Sequence, residues 1–461
     1  MSQTATLFNK KSKEKAADRD HRQVINFNIG RYNAQVPAGK TQFSDVALAR
    51  ERAKNQKWKA IETLDTQLEN FEAQVTRRGA KVIWCEDAQQ AIDAIVKICK
   101  EKDCRTLVKS KSMVTEEIHL NKNLEAHGIE SIETDLGEYI QQLDGETPYH
   151  IVTPAMHKSK DDIARLFANK LGTDPSLSAE QLTLIARDKL RQKYAEAEVG
   201  VTGANFIISD IGGIAITENE GNARLSCSMP KTHIVIAGIE KVIPYMTDLA
   251  LFWPLLATFG TGQRITSYST IVTGPKQPGE TDGPEEMYVL LLDNGRTNML
   301  ANEKTREALY CIRCGACLNA CPVYKNIGGH TYDTTYSGPI GSVITPHLKP
   351  MKEWKHLSHA SSLCGNCTEV CAVKINLHEL LLENRHEAQQ EGYAPFTETV
   401  AWKMWKTAML KRSWMNMGNG NMKTKLINSV AGAWTKDRSK LEFPKKSFNE
   451  LWAERRKGKS N

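Results

Sequence analysis

"YCIRCGACLNACPVY", residues 310–324, holds Cys311, Cys314, Cys317 and Cys321, with Pro322 directly after the last. The spacing C-x2-C-x2-C-x3-C-P is that of two-cluster ferredoxins. A cuboidal iron–sulfur cluster takes thiolates at several corners. Cysteines three apart in a tight loop wrap three irons while the loop's N–H groups face the sulfides. Gly315 and the small Ala316 let that backbone turn closely, because glycine reaches dihedrals closed to other residues. The fourth cysteine lies beyond the loop's reach and serves the other cluster, so such runs come in pairs.

The partner run is "SSLCGNCTEVCAVKI", residues 361–375, with only three cysteines. Aligned from its C-terminal end, Cys364 takes the second place, Cys367 the third and Cys371 the fourth. Ser361 stands where the first belongs. The pairing rule then assigns Cys311, Cys314, Cys317 and Cys371 to cluster one. Cys321, Cys364 and Cys367 fall to cluster two, whose fourth ligand is Ser361 or a residue from elsewhere. Paired C-x2-C elements also hold structural zinc, but zinc has no use for a third cysteine set this way. Disulfides fit poorly, because nothing else in the chain indicates an oxidising compartment.

A chain of 461 residues exceeds one average domain. With 40% apolar and 25% charged residues it has the composition of an ordinary soluble protein. The N-terminal "MSQTATLFNKKSKEKAADRD" lacks the apolar core of a secretory signal. The longest apolar run, "LALFWPLLATFG" (249–260), contains a proline and is too short to span a bilayer. The expected location is cytoplasmic, with peripheral membrane attachment at most. Cys85, Cys99, Cys104 and Cys227 sit among apolar neighbours and read as buried thiols, with Cys227 the one spare candidate ligand.

The net charge of +7 is concentrated at the C-terminus: residues 396–461 carry 15 Lys plus Arg against 5 Asp plus Glu. The same segment holds Trp402, Trp405, Trp414, Trp434 and Trp452. It reads as a solvated surface whose aromatics pack on the cluster domain, or as a docking face for an acidic partner or anionic membrane. No nucleic-acid recognition motif accompanies the charge.

Residues 1–75 read as a polar helical lead-in. From 76 to 298, strands alternate with helices and imply a parallel sheet covered on both faces. The expected strands are "KVIWC", "RTLVKS", "IESIET", "HIVT", "ANFIISD", "GIAITENEGNARL", "THIVIAG", "ITSYSTIVTG" and "EMYVLLLDN". Helices are expected at "EDAQQAIDAIVKICKEKDC", "MVTEEIHLNKNLEAHG", "DLGEYIQQL" and twice more between about 159 and 198. Ligands of open α/β sheets settle at the carboxyl ends of the strands. Two segments are placed there: Lys109, Ser110, Lys111 and Ser112, suited to an anion, and Asp210, Glu218 and Asn222 around a glycine-rich bend. The bland alternatives are a helix cap by Ser112 or Thr115 and a hairpin turn at "NEG". Residues 299–393 form the cluster domain, with the cysteine runs between helices. His330, in the Gly- and Tyr-rich loop between them, reads as a structural histidine with a ligand role as the alternative. Residues 394–461 are the basic segment.

The order "VKSKSMVTEEIHLN", "NFIISDIGGIAITENEGNARL", "YCIRCGACLNACPVY", "GGHTYDTTYSGPIG", "SSLCGNCTEVC" and a basic tail resembles the LutB/LldF family of lactate utilization iron–sulfur proteins over nearly the whole chain. The resemblance implies a LUD-type α/β domain, similar in fold to the NagB/RpiA/CoA-transferase group, then an α-helical ferredoxin domain with two iron–sulfur clusters of the [4Fe-4S] type. It implies electron transport in the oxidation of L-lactate to pyruvate, beside a LutA-like cysteine-rich protein and a LutC-like LUD protein. One departure is Ala372, where ferredoxin-like runs place proline. Two rivals remain. In one, the α/β domain itself binds a hydroxy acid or an acyl or phosphate ligand and the chain is a catalytic oxidoreductase subunit. In the other, an assembly or sensor protein uses the clusters structurally.

Overall fold

"THIVIAG" forms the spine of the molecule, because every residue of this strand is buried. The computed structural model describes residues 2–430, 432–436 and 438–457. They form two compact units, Met1–Glu391 and Gly392–Asn461. In the first unit ten strands run in chain order: β1 (Lys81–Cys85), β2 (Thr106–Lys109), β3 (Glu130–Glu133), β4 (Val199–Thr202), β5 (Phe206–Ile208), β6 (Gly213–Glu218), β7 (Thr232–Gly238), β8 (Val242–Ile243), β9 (Tyr268–Val272) and β10 (Glu286–Leu292). Six make a parallel sheet in the order β1-β10-β7-β4-β2-β3. The other four make a mixed sheet, β8-β5-β6-β9.

The parallel sheet is apolar on both faces, as crossover helices require. Along β7 and β10, Ile234, Ile236, Leu290 and Leu292 point into one core with the helix Ala88–Glu101. Val235, Ala237, Val289 and Leu291 point into the other. Each buried Val, Leu or Ile here stabilises the fold by roughly 1.5–3 kcal/mol, so a charge in the middle of β7 would break it. The second core is continuous with the lead-in helices Gln3–Ala17, Arg19–Lys40, Val46–Glu62 and Leu64–Arg77, with the mixed sheet, and with the cluster segment.

Several sequence expectations are corrected. "VGVT" is a central strand, β4, that the sequence reading passed over. A Cβ on Gly200 would overlap the Ser226 carbonyl oxygen, so the strand carries a residue that ordinarily weakens strands. "GIAITENEGNARL" is strand only to Glu218. The Glu218 carboxylate then accepts the N–H groups of Ala223 and Arg224 (2.6 and 3.0 Å), and Asn222–Ser228 is helix, so "NEG" is no hairpin turn. "MVTEEIHLNKNLEAHG" is two helices, Met113–Glu117 and Leu120–Ala126, broken at His119 with φ 53°. "HIVT" is a loop: the His150 ring accepts the N–H groups of Val152 and Thr153 (3.1 and 3.3 Å), which replaces ladder bonds with local ones.

After β10 no strand occurs among the described residues. The cysteine runs lie between short helices, and Gly338–Leu348 and Leu377–Gln390 are the longest helices between β10 and Glu391. The second unit consists of helices, the longest Phe396–Leu410. Its Trp402, Trp405, Trp414 and Trp452 are exposed; the Trp434 side chain lies outside the described residues. No described helix is long and apolar enough to cross a membrane.

Candidate iron–sulfur site

The two cysteine loops share one backbone design. Arg313 and Gly315 flank Cys314 with φ of 60° and 80°, and Leu363 and Gly365 flank Cys364 with φ of 53° and 78°. A short helix follows each, Ala316–Ala320 and Asn366–Glu369. Left-handed backbone at these points folds the loop inward, which is cheap only for glycine. In the first loop the Arg313 N–H donates to Cys311 Sγ at 3.4 Å. In the second, the Leu363 N–H donates to Ser361 Oγ at 3.0 Å. The serine oxygen thus makes the contact that the first cysteine's sulfur makes in the other loop.

Cys311, Cys314, Cys317 and Cys371 line one small cavity, closed by Ile340, Val373 and Ile375. Cys321, Cys364 and Cys367 are neighbours in a second group, in which Cys364 is exposed. Burial pushes the Cys314 and Cys371 thiols up to about 12 and Cys367 up to about 11. Such thiols become thiolates only beside a cation, which is what iron supplies. Backbone donors are in place: Ile375 N–H to Cys371 Sγ at 3.3 Å and Tyr324 N–H to Cys321 Sγ at 3.5 Å. Among the described residues, no three of these sulfurs lie within 4.8 Å of one another. A single zinc at about 2.3 Å from each sulfur would draw them closer. Thiols spread around a cavity fit a multi-iron cluster.

Neighbouring elements fix the loops. Arg50 of the lead-in donates to the carbonyls of Cys371 (2.9 Å) and Glu369 (2.7 Å). A Cβ on Gly260 would lie 2.8 Å from the Cys314 carbonyl oxygen, so the helix Leu249–Thr261 presses its bare backbone against the first loop. Asn319 donates to the Gly260 carbonyl at 3.1 Å.

A larger cavity of about 240 Å³ lies at the carboxyl ends of β2, β4 and β6. Of the residues singled out in the sequence, Ser110, Lys111, Ser112, Glu218 and Asn222 line it. Lys109 does not: it is fully buried, 2.7 Å from Glu133 and 3.2 Å from Glu116. Burial there disfavours the ammonium, but Glu133, Glu116 and Glu138 outweigh it and raise the pKa. Asp210 is also elsewhere, accepting the Met246 N–H at 3.0 Å. Ser112 does cap the helix, through the Thr115 N–H at 3.4 Å. The sequence reading missed three wall residues, Lys241, Arg313 and Tyr336. Lys241 is buried, and burial pulls it down to about 8. Arg313 sits over the Tyr336 ring, 4.6 Å from its centroid.

His330 lines neither cavity. Its Nε2 meets the Thr147 carbonyl at 2.7 Å, and it groups with Glu146 and His157, whose ligand atoms lie within 4.8 Å of its own. Lys158 holds Glu146 at 2.9 Å, which occupies that carboxylate with a cation already. Cys227 is buried in the helix Asn222–Ser228, donating to the Arg224 carbonyl at 3.2 Å, and Cys85, Cys99 and Cys104 are buried thiols too.

Residues 68–292 match the model of the LUD domain, and residues 307–375 that of the 4Fe-4S dicluster domain. Lactate utilization protein B of Bacillus licheniformis is 45% identical over 361 residues, 78% of this chain and 76% of that one. The protein of the same name from Anoxybacillus flavithermus is 47% identical over 345 residues (74% and 73%), and that from Bacillus cereus 42% over 414 (86% of each). A DUF162 family crystal structure from Deinococcus radiodurans aligns with 50% of this chain and 98% of its own at 14% identity and TM-score 0.29. By its 45% identity across three quarters of a relative, and by the two domain models it matches, the chain belongs to the lactate utilization protein B family and carries iron–sulfur clusters of the 4Fe-4S dicluster type.

Proposed function

We propose that the chain is the electron-carrier subunit of an L-lactate-oxidising system, receiving electrons from a partner that converts lactate to pyruvate and passing them to a downstream acceptor. The observation that carries the reading is the pair of unequal thiol groups. One encloses a buried cavity, and the other ends in the exposed Cys364. Cys311, Cys314, Cys317 and Cys371 hold one cluster. Cys321, Cys364 and Cys367 hold the second, with Ser361 Oγ at its remaining corner, supported by the matching N–H contacts of the two loops. Clusters supply one-electron redox chemistry, and the chain's own groups tune it: N–H donors to sulfur and the charges of Lys57, Lys241 and Arg313, each of which interacts with Cys311. The partners are a LutA-like cysteine-rich protein and a LutC-like LUD protein.

Anaerobic purification tests this. The chain is expected to be brown with about eight irons, and L-lactate is expected to bleach it only when the partner proteins are present. A colourless, zinc-loaded chain would end the reading. Ser361→Cys is expected to alter the EPR spectrum of one cluster while the other stays as it is; unchanged spectra and iron content would remove Ser361 from that corner.

A further inference from the structure

The 240 Å³ cavity and the cavity enclosed by the four thiols share a wall: Arg313 and Cys314 line both. The charges around the larger cavity are satisfied unequally. Its acidic groups are turned onto backbone, Glu218 accepting from Ala223 and Arg224 and Glu220 from Leu136 at 2.9 Å. Lys111 donates to the Val152 carbonyl at 2.7 Å. Lys241, by contrast, is 7% exposed and makes no direct hydrogen bond or ion pair among the described residues, its charge meeting Glu240 and Cys311 only at longer range. Arg313 Nη1 is also buried without a partner, while its Nη2 is 3.4 Å from Glu240 Oε1. Both cations lie in the field of Glu240, yet Arg313 Nη1 and the Lys241 ammonium keep donors that no described protein group takes up, so the wall they form suits an anion. The remaining wall offers neutral hydrogen-bonding groups, among them Ser110, Asn205 and Thr261. The space falls below the roughly 300–1,000 Å³ of sites for drug-sized ligands, which suits a molecule of a few heavy atoms.

We infer that this cavity binds a small 2-hydroxy or 2-oxo carboxylate, with the carboxylate on Lys241 and Arg313 and the oxygen at carbon 2 on the neutral groups. The carboxylate assignment is independent of the electron-carrier role; the choice of a 2-hydroxy or 2-oxo acid rests on the lactate reading above. The ligand shares a cavity wall with Cys314, so its presence is sensed at the first cysteine loop.

The test uses the anaerobically purified, iron-loaded full chain without partners. L-lactate, pyruvate and inorganic phosphate are titrated in separate calorimetric experiments, and the EPR spectrum of the reduced protein is recorded with and without each. One equivalent of L-lactate or pyruvate is expected to bind and to perturb the spectrum. Lys241→Gln is expected to weaken binding on the order of tenfold to a hundredfold. Ala204→Leu, which fills the cavity without changing charge, is expected to abolish it while iron content stays at the wild-type level. Silence with both acids on a fully iron-loaded chain would overturn the inference and leave the electron-carrier reading standing, whereas missing iron would overturn that reading instead. Binding of phosphate alone, or acid binding that both variants leave unchanged, would also overturn it; in the second case Lys241 and Arg313 serve only to balance the negative charge of the thiolates.

Discussion

Arg296 is the largest fully buried side chain among the described residues, and its partners explain how a guanidinium survives there. Its Nη2 lies 2.8 Å from Glu117 Oε2 and its Nε 2.5 Å from Glu240 Oε2. Tyr336 donates to Glu117 at 2.6 Å, and Arg313 joins through Glu240 and the Tyr336 ring. For Glu240, burial pushes the carboxyl up, but Arg296, Arg313 and Lys241 outweigh it and hold the pKa at about 2. Removing one charge leaves another stranded. Glu117→Gln is therefore expected to destabilise the protein by about 3–5 kcal/mol, measured by anaerobic chemical denaturation. A loss below 1 kcal/mol would mean the pair contributes no more than a surface ion pair.

At the scale of elements, the close approaches decide more than the propensities. β4 lies between β2 and β7, where the chain accepts a glycine so that the helix Asn222–Ser228 can pack directly on the sheet. Gly200→Ala forces a side-chain carbon onto the Ser226 carbonyl and is expected to cost about 3 kcal/mol. The check is a lowered thermal midpoint with parallel loss of the sheet's far-UV signal. Gly260 plays the same part between the helix Leu249–Thr261 and the first cysteine loop, which makes that helix a common wall of the α/β and cluster segments.

Across the first unit, the shared core has a consequence for pH. His150 and His233 are fully buried, and burial pulls each down to about 3. Unfolded, each would take up a proton near 6.5. The folded state therefore binds fewer protons between those values, and stability is complete above about 6.5 and is lost as pH falls toward 3. The expected slope is up to about 1.4 kcal/mol per pH unit for each histidine. Denaturation midpoints at pH 7.5 and pH 5.5 measure it, and His233→Asn is expected to show the smaller difference. An equal difference in the variant would assign the acid sensitivity to other groups. The same continuity ties cluster loops to lead-in: Arg50 sits 321 residues before the Cys371 carbonyl it holds.

The sequence by itself determined what short-range chemistry can encode. Cysteine spacing places Cys311, Cys314 and Cys317 in one loop, because three-residue steps are covalently bound to stay together. Apolar runs such as "THIVIAG" mark strands buried on both faces, and "EDAQQAIDAIVKICKEKDC" marks an amphipathic helix. Only the tertiary structure decided the rest. "VGVT" is a strand because its neighbours bury it, and "HIVT" is a loop because His150 takes the local N–H groups first. Lys241 and Arg313 lie 72 residues apart in the chain and become one cationic wall when the helix Leu249–Thr261 presses on the cysteine loop. Spacing is a property of a segment, whereas a cavity exists only where packed segments fail to meet.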